Sequence, residues 1–168
     1  MIPSLYSIRE AGVQDIELIR TLCAQVWPAT YAPILPQEQL DYMMEWMYSP
    51  VSLEKQMREG CRFLLLYTKS KPVGYASYQH LQHQHYKLHK LYVLPAEQGQ
   101  GAGRYLLTYI HEKIKAEKGQ SIELQVNRQN KARYFYEALG YQVREEADIA
   151  VGNGYYMNDY IMVLQLDY

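Results

Sequence analysis

The sequence predicts a mixed α/β (α+β) fold with the element order β-α-α-β-β-β-α-β-α-β-β. Three observations support this prediction. First, segments in which apolar residues alternate at every second position are interspersed with segments in which they recur every three or four positions. Second, a strand-like run ends in a glycine-rich turn, Gly99–Gly103, and a helix-like segment follows. Third, two strand-like runs near the end flank Gly152-Asn153-Gly154, which is typical of a hairpin.

The first elements are a short strand, Leu5–Arg9, and a helix, Asp15–Val26. The helix carries an apolar stripe, and we expect it to stop before Pro28, because proline has no N–H for the helical ladder. Residues 27–33 contain two prolines and two aromatic residues. They are expected to form a stiff loop.

Further elements follow from the same patterns. Pro36 begins a second helix, and a third helix continues it after Ser49-Pro50 as far as Glu59. The next three strands span 62–68, 72–81 and 86–94, and a helix spans about 102–118 with Leu106, Leu107, Ile110 and Ile114 inward. Ser121–Val126 alternates as a strand, Ala132–Leu139 has helical spacing with Gly140 as its stop, and 142–150 with 155–166 form the terminal hairpin.

The stretch from Leu91 to Arg104 is the most informative part of the chain. Its apolar run ends at Pro95, and glycines follow at 99, 101 and 103. Glycines let the backbone approach a ligand closely, and the free N–H groups at a helix N-terminus attract anions. The sequence therefore predicts a phosphate or pyrophosphate site at this turn.

Two common glycine-rich motifs do not fit this turn. A nucleotide P-loop needs Gly-Lys-Ser/Thr, and neither residue type follows Gly103. A dinucleotide fingerprint needs Gly-x-Gly-x-x-Gly, whereas the glycines here occupy alternate positions. The pattern that remains is Gln98-x-x-Gly101-x-Gly103.

This pattern resembles the Gln/Arg-x-x-Gly-x-Gly/Ala signature of the GNAT superfamily of N-acetyltransferases, which binds the pyrophosphate of acetyl-coenzyme A. A second segment also resembles the family: Leu124-x-Val126 is followed by Asn130, Ala132, Phe135-Tyr136 and Gly140, with Tyr141 in place of the family's last Phe. The resemblance covers residues 62–142 well. It implies the GNAT fold, a central, mostly antiparallel mixed sheet flanked by helices, in a single domain, 1–168.

The resemblance also implies which residues bind acetyl-coenzyme A. The backbone of Leu91 and Val93 would hold the pantetheine arm, and the Asn130 side chain would hydrogen-bond it. The pyrophosphate would lie against main-chain N–H groups of Gln98, Gly99, Gln100, Gly101, Ala102, Gly103 and Arg104. Two alternatives stay open: Asn130 is also a natural helix N-cap, and Arg104 is either a solvated first-turn residue or a partner of the 3′-phosphate.

Tyr136 matches the family's catalytic tyrosine and is the candidate general acid, because a phenol with a pKa near 10 keeps its proton at neutral pH. Its place on an apolar stripe also fits plain core packing. His89 is the candidate general base, acting through a water. In a two-residue period Lys87, His89, Leu91 and Val93 share one strand face, and Lys87 stands where some family members carry a glutamate, provided that no bulge shifts the register.

The acceptor side rests on the family outline. The loop after the first helix and the last hairpin frame the family's acceptor cleft, which here gives Trp27, Tyr31 and Asp159 as substrate-binding residues. Asp159 would pair with an ammonium group. An acidic stripe on the second helix, Glu38, Asp41 and Glu45, either attracts a cationic amine or is a solvated face. The outline is similar to that of bacterial diamine and polyamine acetyltransferases.

The predicted function is therefore direct transfer of an acetyl group to a small cationic amine or polyamine in a ternary complex. The alternatives are N-terminal acetylation of peptides or ribosomal proteins, and a non-catalytic acyl-coenzyme A-binding module. Cys23 and Cys61 are the only cysteines, and neither is placed for an acyl-cysteine intermediate. His80, His83, His85 and His89 crowd one hairpin, but their spacing matches no common zinc site, so no metal is expected.

Composition narrows the class of protein further. With 17 basic and 18 acidic residues the net charge is −1, which argues against a nucleic-acid partner. No basic region precedes an apolar run at the N-terminus and no 18-residue apolar stretch occurs, so neither secretion nor a membrane is expected. Two cysteines without a disulfide framework fit the cytoplasm. Monomer and homodimer both stay open.

Overall fold

In the computed structural model, which describes residues 5–166, seven strands form one sheet. The strands are β1 (Tyr6–Ala11), β2 (Arg62–Thr68), β3 (Lys71–Gln82), β4 (His85–Val93), β5 (Ser121–Asn127), β6 (Gln142–Gly152) and β7 (Tyr155–Gln165). Their order across the sheet is β1-β2-β3-β4-β5-β7-β6. The α-helices are α1 (Ile16–Tyr31), α2 (Gln37–Tyr48), α3 (Pro50–Arg58), α4 (Ala102–Ala116) and α5 (Ala132–Ala138).

The sheet is mixed and mostly antiparallel, as the sequence predicts. Neighbouring strands run antiparallel everywhere except at β4 and β5. This parallel pair is short, because only four residue pairs join it, from His85 with Ser121 to Leu88 with Leu124. Beyond Leu88 and Leu124 the two strands continue without pairing, so the sheet is split at one end.

The helices cover both faces of the sheet. Helices α1 to α3 lie on the face from which Tyr75 and Tyr92 project, since the Tyr92 ring packs against Trp27 of α1 and the Tyr75 ring against Tyr48 of α2. We call this the α1 face. Helices α4 and α5 lie on the other face, the α4 face. The apolar stripe predicted for α4 is there, with Leu106, Leu107, Ile110 and Ile114 fully buried.

The expected end of the first helix was wrong. Helix α1 continues through Pro28 to Tyr31, so the region expected to be an aromatic loop is mostly helical. Proline removes one hydrogen bond near the end of the helix, and the packing of the aromatic residues of α1 offsets this loss. Trp27 is 1% exposed and its ring lies 4.8 Å from that of Tyr31. A third helix, α3, is separate from α2 because Ser49 ends one helix and caps the next.

A β-bulge in β4 corrects a second expectation. Lys90 pairs with Ser77 and Leu88 pairs with Tyr78, which leaves His89 as the extra residue. The alternation reverses at this point. Tyr92 lies on the α1 face with Trp27, whereas Val93 points towards Gly103 of α4. Lys87, His89, Leu91 and Val93 therefore do not share one face, because the extra residue His89 shifts the alternation between Lys87 on one side of the bulge and Leu91 and Val93 on the other.

Within residues 5–166 every helix is too short or too polar to cross a membrane.

Candidate active site

The split between β4 and β5 opens into a cleft of about 820 Å³. One wall is the end of β4 from Leu88 to Val93, and the other is formed by Leu124–Val126 and the following turn. The glycine turn closes one end and the C-terminal part of α1 the other. Twelve of the residues predicted for the site line this cleft: Tyr31, His89, Leu91, Val93, Gln98, Gly99, Gly101, Ala102, Gly103, Arg104, Asn130 and Tyr136. The other three, Trp27, Gln100 and Asp159, are not part of its wall.

The glycine turn has the geometry of an anion site. Gly99 and Gly101 have φ values of +79° and +88°, a left-handed conformation that favours glycine. A Cβ atom added to either would meet no described atom within 4 Å, so the backbone is open to a ligand there. Gly101 is the N-cap of α4, which leaves N–H groups of its first turn facing the cleft. These features fit a pyrophosphate.

Two neighbours hold this turn in place. The Gln98 side chain donates to the Val93 carbonyl oxygen at 3.1 Å, which ties the turn to the end of β4. A Cβ atom at Gly103 would lie 3.5 Å from the Phe135 ring, so α4 and α5 pack closely at this glycine. The Gln100 side chain turns away and donates to the Ala96 carbonyl oxygen at 3.2 Å.

Asn130 performs the capping role that the sequence left open. Its Oδ1 accepts from the Ala132 N–H at 2.9 Å, at the start of α5. Asn130 also lines the cleft, so its amide group is placed beside any ligand between the strands.

Tyr136 lies in the short helix α5. The residue is 8% exposed and lines the cleft. Burial raises the pKa of its hydroxyl well above the ordinary value, and the nearby Tyr31 raises it further. Its ring packs against those of Phe135 and Tyr141 at 5.2 and 5.5 Å. Tyr136 therefore combines the packing role and the cleft position that the sequence offered as alternatives.

His89 is held at the bulge by its contact with Gln79, whose Oε1 lies 2.9 Å from Nε2. Burial, followed by the charges of Lys87 and Lys90, lowers the pKa of His89 to about 4. The imidazole is therefore neutral at pH 7, and the lowered pKa makes it a weaker base than a solvated histidine. The other histidines of the hairpin have separate partners: His80 contacts the His83 carbonyl, and His85 contacts Ser121 and Glu123.

The residues predicted for the acceptor side are spread over two layers. Tyr31 lines the cleft, and its hydroxyl lies 2.9 Å from that of Tyr92. Trp27 is buried beneath it in α1, and its indole N–H has no hydrogen-bond partner within residues 5–166. The exposed acidic residues of α2, Glu38, Asp41 and Glu45, do not line the cleft either, which fits a solvated face.

Asp159 lies on β7 opposite Asn127 of β5, close enough to Tyr31 to raise the pKa of that phenol. It is 1% exposed, and neither carboxylate oxygen has a hydrogen-bond partner in the described part of the chain. Burial raises its pKa to about 6, against the opposing charges of Arg128 and Lys87. A buried carboxylate without a donor is costly, and a cation beside it would remove that cost.

Two residues near the cleft were missed by the sequence analysis. Lys90 is 4% exposed, its Nζ donates to the Gln56 Oε1 at 2.6 Å, and the ring of Tyr48 lies beneath it. Burial lowers the pKa of Lys90 to about 8. Tyr92 is the partner of Tyr31. The signal was the pair His89-Lys90, because two polar residues in succession break the alternation of a half-buried strand.

The comparisons with known proteins agree with this geometry. An acetyltransferase (GNAT) domain family model matches residues 32–163. The spermidine N(1)-acetyltransferase of Thermoplasma acidophilum is 28% identical over 148 residues, which are 82% of this chain and 89% of that protein. An uncharacterised N-acetyltransferase of Bacillus subtilis, YuaI, is 29% identical over 140 residues, 80% of this chain and 79% of that protein.

Solved structures show the same fold. The PaiA N-acetyltransferase of T. acidophilum, in complex with coenzyme A, superposes with a TM-score of 0.80 at 23% identity over 95% of this chain and 98% of that chain. A ribosomal-protein alanine N-acetyltransferase of Escherichia coli has a TM-score of 0.74 at 19% identity, over 97% of this chain and 95% of that chain.

A split sheet with an anion-binding glycine turn at its open end defines an acyltransferase of the acyl-coenzyme A-dependent class. The matched family model covers most of the chain, and the chain belongs to the GNAT family. It is a GNAT N-acetyltransferase that uses acetyl-coenzyme A.

Proposed function

We propose that this N-acetyltransferase acetylates a small, cationic primary amine by direct transfer within a ternary complex. The cleft between β4 and β5 carries the proposal, because it brings the glycine turn, Asn130 and Tyr136 to one opening in the sheet. Main-chain N–H groups of the turn from Gln98 to Arg104 would hold the pyrophosphate. The edge of β4 at Leu91 and Val93 is free to hold the pantetheine arm.

Bound acetyl-coenzyme A supplies the acyl group as a thioester. Tyr136 keeps its proton at neutral pH and donates it to the sulfur that leaves. His89, which is neutral, takes the proton that the attacking amine loses, directly or through one water. The amine nitrogen then holds the acetyl group as an amide, and no cysteine takes part.

Asp159 supports a cationic acceptor. Its buried carboxylate lacks a donor among the described residues, and its charge raises the pKa of Tyr31, which lines the cleft. An ammonium group is the partner that such a carboxylate selects, while a neutral amine is not. The similarity to a spermidine N(1)-acetyltransferase points in the same direction. Tyr31 and the hairpin that bears Asp159 would then frame the acceptor, with Trp27 supporting Tyr31 from below.

The experiment is a turnover assay with acetyl-coenzyme A over a panel of acceptors: diamines, polyamines, neutral monoamines and peptides with free N-termini. We expect diamines or polyamines to have the highest kcat/KM. Turnover of peptides alone would replace this proposal by N-terminal acetylation. Tight binding of acetyl-coenzyme A without turnover of any acceptor would indicate a binding module.

A further inference from the structure

Two pairs of tyrosine hydroxyls lie in the layer between α1 and the sheet. The hydroxyls of Tyr31 and Tyr92 are 2.9 Å apart, and those of Tyr48 and Tyr75 are 2.8 Å apart. The rings of Tyr75 and Tyr92 are neighbours, at 5.6 Å. Only the first pair lines the cleft. The second pair has the same chemistry in the same aromatic layer but does not line this cleft.

One hydroxyl hydrogen of the Tyr31–Tyr92 pair is not used in the hydrogen bond between the two residues. Two hydroxyls carry two hydrogens, and the bond between them uses one. Asn130 also lines the cleft, and its Oδ1 accepts from the Ala132 N–H. The pair therefore retains a donor on the wall of the cleft.

The position of this donor relates it to the reacting bond. Tyr31 and Tyr136 line the same cleft, and the Tyr31 phenol raises the pKa of Tyr136. Tyr136 is the donor proposed for the thioester sulfur. The carbonyl carbon is bonded directly to that sulfur, so a further hydroxyl on the wall of the same cleft would be available to the carbonyl oxygen.

We propose that the Tyr31–Tyr92 hydroxyl pair donates a hydrogen bond to the carbonyl oxygen of the acetyl thioester and stabilises the negative charge that develops there during attack. The inference rests on the proposed function. In the step, the amine nitrogen bonds to the carbonyl carbon and a carbonyl electron pair moves to oxygen. The electron pair on oxygen re-forms the carbonyl double bond as the C–S bond breaks. Sulfur receives the proton of Tyr136, and the amine proton goes to His89. Both hydroxyls keep their own protons.

The surroundings suit this role. Burial raises the pKa of Tyr31 to about 12 and that of Tyr92 well above its ordinary value, so both hydroxyls stay protonated at neutral pH. The Trp27 ring packs against both tyrosines, at 4.8 and 5.9 Å, and fixes their orientation before a ligand arrives. Fixed donors in a dry site contribute about 10²- to 10³-fold to acyl-transfer rates.

The test compares Tyr31→Phe, Tyr92→Phe and the double variant with Tyr48→Phe, the matched control. The double variant is decisive, because loss of one hydroxyl leaves the other free to donate. The first measurement is isotope-edited infrared spectroscopy of bound acetyl-coenzyme A labelled with ¹³C at the carbonyl. We expect the carbonyl stretch to lie at lower frequency in the wild-type protein and in Tyr48→Phe than in the double variant.

The second measurement is steady-state kinetics with the best acceptor from the panel. We expect kcat to fall about 10²- to 10³-fold in the double variant and to stay within about twofold in Tyr48→Phe. An unchanged carbonyl frequency in the double variant would overturn the inference, as would an unchanged kcat. The spectroscopy needs no acceptor, so this result is separate from the identity of the amine. Failure of the wild-type protein to bind acetyl-coenzyme A would instead contradict the proposed function.

Discussion

Burial shifts the pKa of four side chains that line the cleft. The Tyr31, Tyr92 and Tyr136 hydroxyls are kept protonated, and His89 is kept neutral. Desolvation is the largest cause in all four cases. At neutral pH these four side chains are therefore three neutral donors and one neutral acceptor, which suits a reaction that moves protons.

Replacing Tyr136 by phenylalanine removes only the proposed acid. We expect kcat to fall about ten- to a thousandfold, with the Kd for acetyl-coenzyme A unchanged, because water replaces the acid only in part. Tyr141→Phe is the control, since Tyr141 is a buried tyrosine beside Tyr136 that bonds to His111 at 2.7 Å and does not line the cleft. Normal turnover of Tyr136→Phe would assign Tyr136 to packing alone.

Replacing Asp159 by asparagine tests whether its carboxylate selects a cationic acceptor. We expect the KM for a diamine to rise about tenfold or more, and the KM for a neutral amine to change little, because the buried carboxylate no longer attracts a cation. The preference for the diamine in the wild-type protein should weaken as the pH falls through about 6, where Asp159 takes up a proton.

Asp148→Asn is the control for this change, because Asp148 lies on the same hairpin, exposed, in an ion pair with Arg128. An equal rise in KM for every acceptor in Asp159→Asn would mean that the carboxylate shapes the hairpin rather than binds the amine.

Among the elements, the glycine turn is tested by a pair of matched substitutions. Gly101 and Gly154 have φ values of +88° and +80°, and a Cβ atom at either position meets no described atom within 4 Å. Valine strains the backbone similarly at both. We expect Gly101→Val to abolish binding of acetyl-coenzyme A in calorimetry, because the side chain occupies the approach to the N–H groups, while Gly154→Val binds normally.

The same calorimetry should show that the wild-type protein binds acetyl-coenzyme A far better than NAD or ATP. If a folded Gly101→Val protein binds acetyl-coenzyme A with normal affinity, the pyrophosphate does not bind at this turn.

Element types could be read from the sequence, because the period of apolar residues reports which face is buried. The stripe of α4 and the alternation of Ile122, Leu124 and Val126 in β5 were predicted and are buried as expected. Pro28 and His89 are where local rules failed. A proline near a helix end removes only one hydrogen bond, and aromatic packing around Trp27 outweighs it. The bulge at His89 depends on how β3 pairs with β4, which a local period does not specify.

Across the whole molecule, buried Lys90 ties stability to pH. Its folded-state pKa of about 8 lies below the ordinary 10.5, so the unfolded chain binds more protons between these pH values. Stability therefore rises with pH across this window. We expect the free energy of unfolding of the wild-type protein, relative to Lys90→Met, to increase by about 2 kcal/mol from pH 7.5 to 9.5 in urea titrations.

Lys55→Met, at an exposed lysine on α3, should follow the pH dependence of the wild-type protein. The ionisations of buried tyrosines and cysteines are common to all three proteins and largely cancel in the difference. If the difference in the free energy of unfolding between the wild-type protein and Lys90→Met does not change with pH, Gln56 and the aromatic rings stabilise the ammonium group as well as water does.

At the scale of the whole site, the sequence indicated motifs whose residues adjoin one another and named Tyr31, but it missed Tyr92, which meets Tyr31 only through the fold. The residues from Gln98 to Arg104 adjoin one another, so their motif could be recognised directly. Tyr31 and Tyr92 are separated by 61 positions. Their contact depends on where the C-terminal end of α1 lies on the sheet. Because α1 continues past Pro28, Tyr31 is part of that helical end.

The short parallel seam between β4 and β5 has a mechanical consequence. Strands β1 to β4 form one rigid half of the sheet and β5 to β7 the other, and four residue pairs join them. Local opening is easiest where few contacts join two parts of a structure, and this seam is the shortest ladder of the sheet. A ligand bonded to both edges of the gap would lengthen the seam, so acetyl-coenzyme A would also fasten the two halves of the enzyme together.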